Sequence, residues 1–119
     1  MSDLIAKKEW ISVGSVSDFV VNAGGAIQHG IEQIAVFNFE HKEWYATQNL
    51  CPHRQEMVLS RGLLGCKNGK VKVACPLHKN NFDLASGEHL DGDQAWCLKT
   101  YEVKVESESV YLLLEPIDG

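Results

Sequence analysis

Cys51-Pro52-His53 and Cys75-Pro76-Leu77-His78 each place a thiol one or two residues from an imidazole, and 21 residues separate His53 from Cys75. Thiolate and imidazole are soft and borderline ligands of the kind that zinc and iron–sulfur centres accept, and each Pro stiffens the turn that aims its unit. Two Cys with two His can close a tetrahedral zinc site. They can equally hold a [2Fe-2S] centre in which Cys binds one iron and His the other. Zinc fingers favour a CxxC pair with a separate HxxxH pair, so mixed CxH and CxxH units suit the binuclear iron centre better.

Matching residues extend past the four ligands. Arg54 follows the first unit, Leu59 and Gly62 lie downstream, Val71 to Ala74 lead as a short strand into the second unit, and Asn81-Phe82-Asp83-Leu84-Ala85-Ser86-Gly87 follows it. From CPH through CPxH to FDLxxG, the 37 residues from Cys51 to Gly87 resemble the Rieske ferredoxin-like family. Met57-Val58-Leu59-Ser60-Arg61-Gly62-Leu63, an extra loop near Gly65 to Lys70, and Val73-Ala74-Cys75-Pro76-Leu77 are similar to the small subunit of bacterial NAD(P)H-dependent assimilatory nitrite reductase. The resemblance implies a Rieske [2Fe-2S] cluster on Cys51, His53, Cys75 and His78, an electron-transfer role, and no catalytic residue in this chain. It also implies a large partner subunit that carries flavin, sirohaem and a further iron–sulfur cluster and reduces nitrite to ammonium. Two departures stand out. The units lie a few residues further apart than in common Rieske ferredoxins, which a surface loop tolerates, and Lys79 replaces the Gly that often follows the second His.

High-potential Rieske proteins resemble a CTHLGC and CPCHGSxY pattern, with an extra disulfide and hydroxyl donors toward the cluster. Here Glu56 and Leu77 stand at the disulfide positions and Asn80 and Phe82 at the hydroxyl positions, so a low-potential, ferredoxin-like centre is implied. A free ferredoxin serving an aromatic-ring dioxygenase keeps the same cluster with another partner. A zinc-bearing or metal-free structural subunit is the third reading. Gly65-Cys66-Lys67-Asn68-Gly69-Lys70-Val71 lacks the Gly spacing and the Ser or Thr of a phosphate loop, and no GxGxxG occurs, so NAD(P)H must bind elsewhere. Roughly 30 residues remain after Gly87, too few for the 2-His-1-carboxylate site of an oxygenase.

Stepping outward, the elements that must position these units are of β type. Trp10-Ile11-Ser12-Val13 is a strand candidate, Ser15 to Asp18 suits a short helical turn, and Asn22-Ala23-Gly24-Gly25 reads as a turn. Gln33 to Phe39 and Trp44 to Thr47 predict a hairpin across Glu40 to Glu43, being rich in β-branched and aromatic residues. Tyr101, Val103 and Val105 alternate with Glu102 and Lys104, and Val110 to Leu114 supplies a partner. The fold class is therefore all-β, an antiparallel Rieske-type β-sandwich in one domain spanning 1–119, with an inserted loop-built cluster-binding module at about 49–92.

The chain has 119 residues, 45% hydrophobic and 23% charged, with a net charge of -5. That composition suits a soluble globule, and the acidic balance argues against nucleic acid. No signal-like segment or long apolar run is present, which points to the cytoplasm and away from a membrane. Four Cys in such a setting read as ligands or free thiols rather than disulfides. Cys66 and Cys97 are expected to be structural, of the small buried kind or unreactive, and His29, His41 and His89 to be surface residues without ligand spacing. Trp10, Trp44 and Trp96 are expected to pack in the core or at its rim.

Overall fold

The computed structural model describes residues 8–52, 56–67, 69–76, 80–91 and 97–115. His53, Arg54, Leu77, His78, Lys79 and Trp96 lie outside the described residues.

The strand Ile34-Ala35-Val36-Phe37 is apolar at every position, as a strand buried on both faces must be. It belongs to β3 (Glu32–Phe39), and its alternation divides the interior in two. Ile34 and Val36 join Phe19, Ala46, Val110, Leu112 and Leu114 in one core. Ala35 and Phe37, on the opposite face, join Cys51, Leu59, Val73, Cys75, Phe82, Leu84 and Leu98 in the other.

The first core is the filling of an antiparallel sandwich. One sheet has the order β1 (Glu9–Ser15), β12 (Ser109–Leu114), β11 (Val103–Glu106), and the other β10 (Thr100–Tyr101), β4 (Glu43–Gln48), β3, β2 (Ala23–His29). In β12 the buried Val110, Leu112 and Leu114 alternate with half-buried Tyr111 and Leu113, as the pleat of a strand requires. Above the second face of β3 lie two smaller antiparallel sheets, β5 (Leu50–Cys51) with β6 (Glu56–Met57), and β7 (Leu63–Lys67), β8 (Lys70–Ala74), β9 (Asn81–Asp83). All-β architecture and the expected β1, β3–β4 and β11–β12 elements are thus as the sequence indicated. Val16–Asp18 forms a 3-10 turn, with the Ser15 N–H donating to Asp18 Oδ2 at 2.9 Å.

Three local expectations are corrected. Ala23-Gly24-Gly25 is the start of β2 rather than a turn, paired with Asn38, Phe37 and Val36. A Cβ on Gly24 would stand 2.7 Å from the Ser60 carbonyl and 2.8 Å from the Phe37 ring, so the glycine that reads as a turn is there for close packing. Gly65 to Lys67 is not an extra loop but strand β7, which extends the β7–β8 hairpin and absorbs the longer spacing between the ligand units. The run from Tyr101 to Val105 is not one strand: it breaks at Glu102, with β10 on β4 and β11 on β12, and Val105 is exposed.

The β3–β4 turn has positive φ at both Glu40 and His41, the twist-compatible hairpin turn that usually calls for Asn or Gly. Buried Asn38 stabilises it by accepting the His41 N–H at 3.0 Å, and Asn22 accepts the Glu40 N–H at 2.8 Å. Trp44 packs edge-on against Phe19 at 5.9 Å, while Trp10 is exposed beneath the Lys104 ammonium at 4.7 Å. Among the described residues no helix is long and apolar enough to cross a membrane.

Candidate metal centre

Each Cys of the two units is held by backbone pairing with a residue five positions further on. Cys51 pairs with Glu56 across β5 and β6. The Cys75 N–H donates to the Asn80 carbonyl at 2.8 Å. The two thiols converge, with Cys51 Sγ and Cys75 Sγ 3.2 Å apart and both residues wholly buried. That separation is far outside the ~2.05 Å of a disulfide. It approaches the spacing of two thiolates on one tetrahedral metal with bonds of ~2.3 Å. Two buried, converging thiols fit the Cys-bound iron of a [2Fe-2S] group, and the other two sequence-predicted ligands, His53 and His78, lie outside the described residues.

Local structure explains why the two Cys sit where they do. Two residues before Cys51, buried Asn49 makes four bonds: its N–H to Gln33 O (3.0 Å), its Nδ2 to Gln33 Oε1 (3.2 Å), its O from Leu59 N–H (3.1 Å) and its Oδ1 from Ser60 N–H (2.7 Å). Asn49 thereby ties β3 to the 3-10 turn Leu59–Arg61, whose Leu59 packs on both Cys in the second core. Gly62, after that turn, has no room for a Cβ, which would stand 2.4 Å from the Ala74 carbonyl beside Cys75.

The FDLxxG segment folds back on β9. Buried Asp83 accepts from Ala85 N–H (3.2 Å) and Ser86 Oγ (2.8 Å), while the Gly87 N–H donates to Asp83 O (2.7 Å). Gly87 has φ +84°, and a Cβ there would meet Leu98 O at 2.1 Å, so both conformation and space demand glycine. Phe82 is fully buried with the two Cys, and the Asn80 side chain is engaged by His89 Nε2 at 3.1 Å. Glu56 is exposed on β6.

Other expectations shift. Cys66 and Cys97 are exposed, not buried, and Cys66 lies on the edge strand β7. His89 is no surface residue: its ring packs on Phe82 at 5.2 Å. His29 is half-buried, with Nε2 2.7 Å from Glu115 O, and His41 is exposed. Desolvation, with the Glu43 carboxylate that its hydroxyl contacts, pushes Tyr45 up to about 12 and keeps it neutral beside the second core. A cleft of about 840 Å³ lined by Trp44, Lys99 and Tyr101 among others includes neither Cys51 nor Cys75. Asn49, Asn81 and Asp91 were not singled out from the sequence. A polar side chain that serves by bonding backbone leaves no spacing signature.

A Rieske-like [2Fe-2S] domain model matches residues 9–113, and the chain belongs to that family of iron–sulfur proteins. Within it the chain is homologous to nitrite reductase small subunits. It is 32% identical over 105 residues to the nitrite reductase (NADH) small subunit of Escherichia coli K12, covering 87% of this chain and 96% of that one. The solution structure of the E. coli protein NirD superposes with a TM-score of 0.80 at 32% identity, covering 88% of this chain and 96% of that chain. Nitrite reductase [NAD(P)H] of Emericella nidulans is 40% identical over 97 residues, 77% of this chain, but the match spans only 9% of that longer protein. The ferredoxin component of the naphthalene 1,2-dioxygenase/salicylate 5-hydroxylase systems of Ralstonia sp. is 32% identical, over 91% of this chain and 98% of the component.

Proposed function

We propose that Cys51, His53, Cys75 and His78 hold the [2Fe-2S] group and that the chain is the electron-transfer small subunit of an NAD(P)H-dependent nitrite reductase. The chain forms a single domain with residues of about 49–92 as its cluster-binding module. The observation that carries the reading is the buried meeting of Cys51 and Cys75, each held by backbone pairing with a residue five positions further on. When bound, the group supplies a one-electron couple whose potential is raised by exchanging two thiolates for imidazoles. The protein's part is to bury the thiols and exclude water from their side of the site with Leu59, Val73 and Phe82.

Reduction of nitrite to ammonium takes six electrons and needs a hydride acceptor, for which no motif exists in this sequence. We place both tasks on a large subunit bearing flavin, sirohaem and a further iron–sulfur cluster, in a cytoplasmic complex. Association with such a partner is supported by the E. nidulans protein, in which a segment like this chain is covalently part of a much longer nitrite reductase.

Charge is divided in a way that suits docking by the cluster end. Residues 49–92 carry six Lys or Arg and four Asp or Glu, a net +2, while the remainder of the chain carries -7. Such asymmetry orients an approaching partner. Reversal of Arg54 or Lys79 should slow turnover of the complex more than reversal of Glu106 or Glu108.

The test is NAD(P)H-dependent nitrite reduction by the large subunit, measured with NADH and NADPH in turn. Activity should collapse without this chain, and the isolated chain should reduce no nitrite. Equal turnover with and without it would reject the reading. The alternative, a free ferredoxin for an aromatic-ring dioxygenase, is favoured by the Ralstonia likeness and would show as electron delivery to an oxygenase instead.

A further inference from the structure

Asn81 lies across from Ala74, next to Cys75, and every polar group of Asn81 is engaged. Its backbone N–H and its Nδ2 both donate to Asp91 Oδ2 at 2.7 Å, its carbonyl accepts Leu90 N–H at 2.8 Å, and its Oδ1 accepts Lys72 Nζ at 2.6 Å. Asp91 Oδ1 in turn accepts Lys67 Nζ at 3.0 Å from β7. Asn81 also pairs with Ala74, the residue before Cys75, and the neighbouring Asn80 carbonyl accepts the Cys75 N–H. The backbone at Cys75 is therefore tied to Asn80 and Asn81, and Asn81 rests on Asp91.

We propose that Asp91 is the positioning residue for Cys75: it fixes Asn81 and, through the Ala74 pairing and the Asn80 carbonyl, holds the backbone that carries the second thiol. The inference rests on the cluster reading above. Charge-assisted bonds to a carboxylate are stronger than neutral ones, and here one oxygen receives two N–H groups that otherwise have no strand partner on that side. The Lys67 pair is partly exposed, with side chains 44% and 31% accessible, so it adds less than the two N–H bonds. Burial pushes the Asp91 carboxyl up, but the Asn81 N–H groups and the Lys67 ammonium outweigh it and hold the group below the usual carboxylate range. Lys67 and Lys72 are the charged groups facing this node from β7 and β8.

The test compares Asp91→Asn with Val110→Ala, a cavity in the other core that lowers stability without touching this backbone. Two readouts are taken on the full-length chain as purified: hydrogen exchange of the peptide spanning Val73 to Phe82, read by mass spectrometry, and the rate of iron release to a chelator. Asp91→Asn should speed both by about tenfold or more, the loss expected of charge-assisted bonds, whereas Val110→Ala should leave both within about twofold of the wild type. Exchange within twofold of wild type in Asp91→Asn, or equal acceleration in Val110→Ala, would overturn the positioning role whether or not iron is bound. Wild-type protein that binds no iron but shows the exchange difference would keep the brace and remove the cluster reading.

Discussion

Replacing Gly87 by Ala should destabilise the protein far more than the same change at Gly69, although both glycines have left-handed φ, +84° and +80°. A non-glycine residue in that region costs ~1–2 kcal/mol, and reduced freedom of the unfolded chain returns ~0.4–1 kcal/mol. Gly69 has nothing within 4 Å of the added carbon, so a net loss of about 0.5–1 kcal/mol is expected there. At Gly87 the new Cβ would lie 2.1 Å from the Leu98 carbonyl oxygen. Relief needs a backbone shift of roughly 1 Å, which breaks or weakens the Gly87 N–H to Asp83 bond and the Leu98 N–H to Gly87 bond, at ~1 kcal/mol each. The sum is about 3 kcal/mol. Urea unfolding of the two variants should show it as a midpoint difference of ~1–2 M, given a slope of ~1–3 kcal/mol per M. Because Leu98 belongs to the core of Cys51 and Cys75, Gly87→Ala should also lose iron on standing while Gly69→Ala does not. Matching midpoints would refute the packing role assigned to this turn.

Other outcomes follow from the same geometry. Cys51→Ser or Cys75→Ser should abolish visible absorption, while Cys66→Ser and Cys97→Ser, at exposed sites, should retain it; loss in either of the latter with an intact circular dichroism spectrum would show the ligand assignment to be wrong. The reduction potential should fall toward the low end of the ~-150 to +300 mV Rieske range, since Phe82 is apolar and the Asn80 side chain is engaged by His89. Voltammetry giving a value above about +150 mV would contradict this. Asp91, whose carboxyl is held below the ordinary value, contributes stability that is complete above the unfolded carboxylate pKa of ~3.9 and is lost as pH falls through the lower folded value. The stability gap between wild type and Asp91→Asn should therefore be constant from about pH 7 to 5 and close below about pH 4; a gap that persists at pH 2 would assign it to another cause.

The sequence was most legible where pattern reflects burial or ligation. The β-branched and aromatic run of β3 foretold its hairpin with β4, Val110 to Leu114 foretold the partner of β11, and two short Cys-Pro units foretold a site whose thiols do meet. It was least legible where a residue acts through its absence or through backbone bonds. Gly24 and Gly25 read as a turn because sequence cannot show that Phe37 and the Ser60 carbonyl crowd the first and the Phe19 ring the second. Glu40-His41 and Ser107-Glu108 adopt positive φ without the usual Asn or Gly, since in the first turn neighbouring Asn22 and Asn38 supply the bonds. Cys97 and His89 lie together near the folded-back segment, joined by bridges at Glu88 and Phe82, and only the chain's return fixes which of them faces inward.

The most direct measurement of the central claim is the iron, acid-labile sulfide and zinc content of anaerobically purified chain, made with adequate iron and sulfide supply, together with its visible spectrum. About two iron and two sulfide per chain with visible absorption, and loss of both in Cys51→Ser and Cys75→Ser, are predicted for a [2Fe-2S] group on these ligands. Stoichiometric zinc with no visible absorption would contradict the account and leave a structural Cys2His2 site in its place.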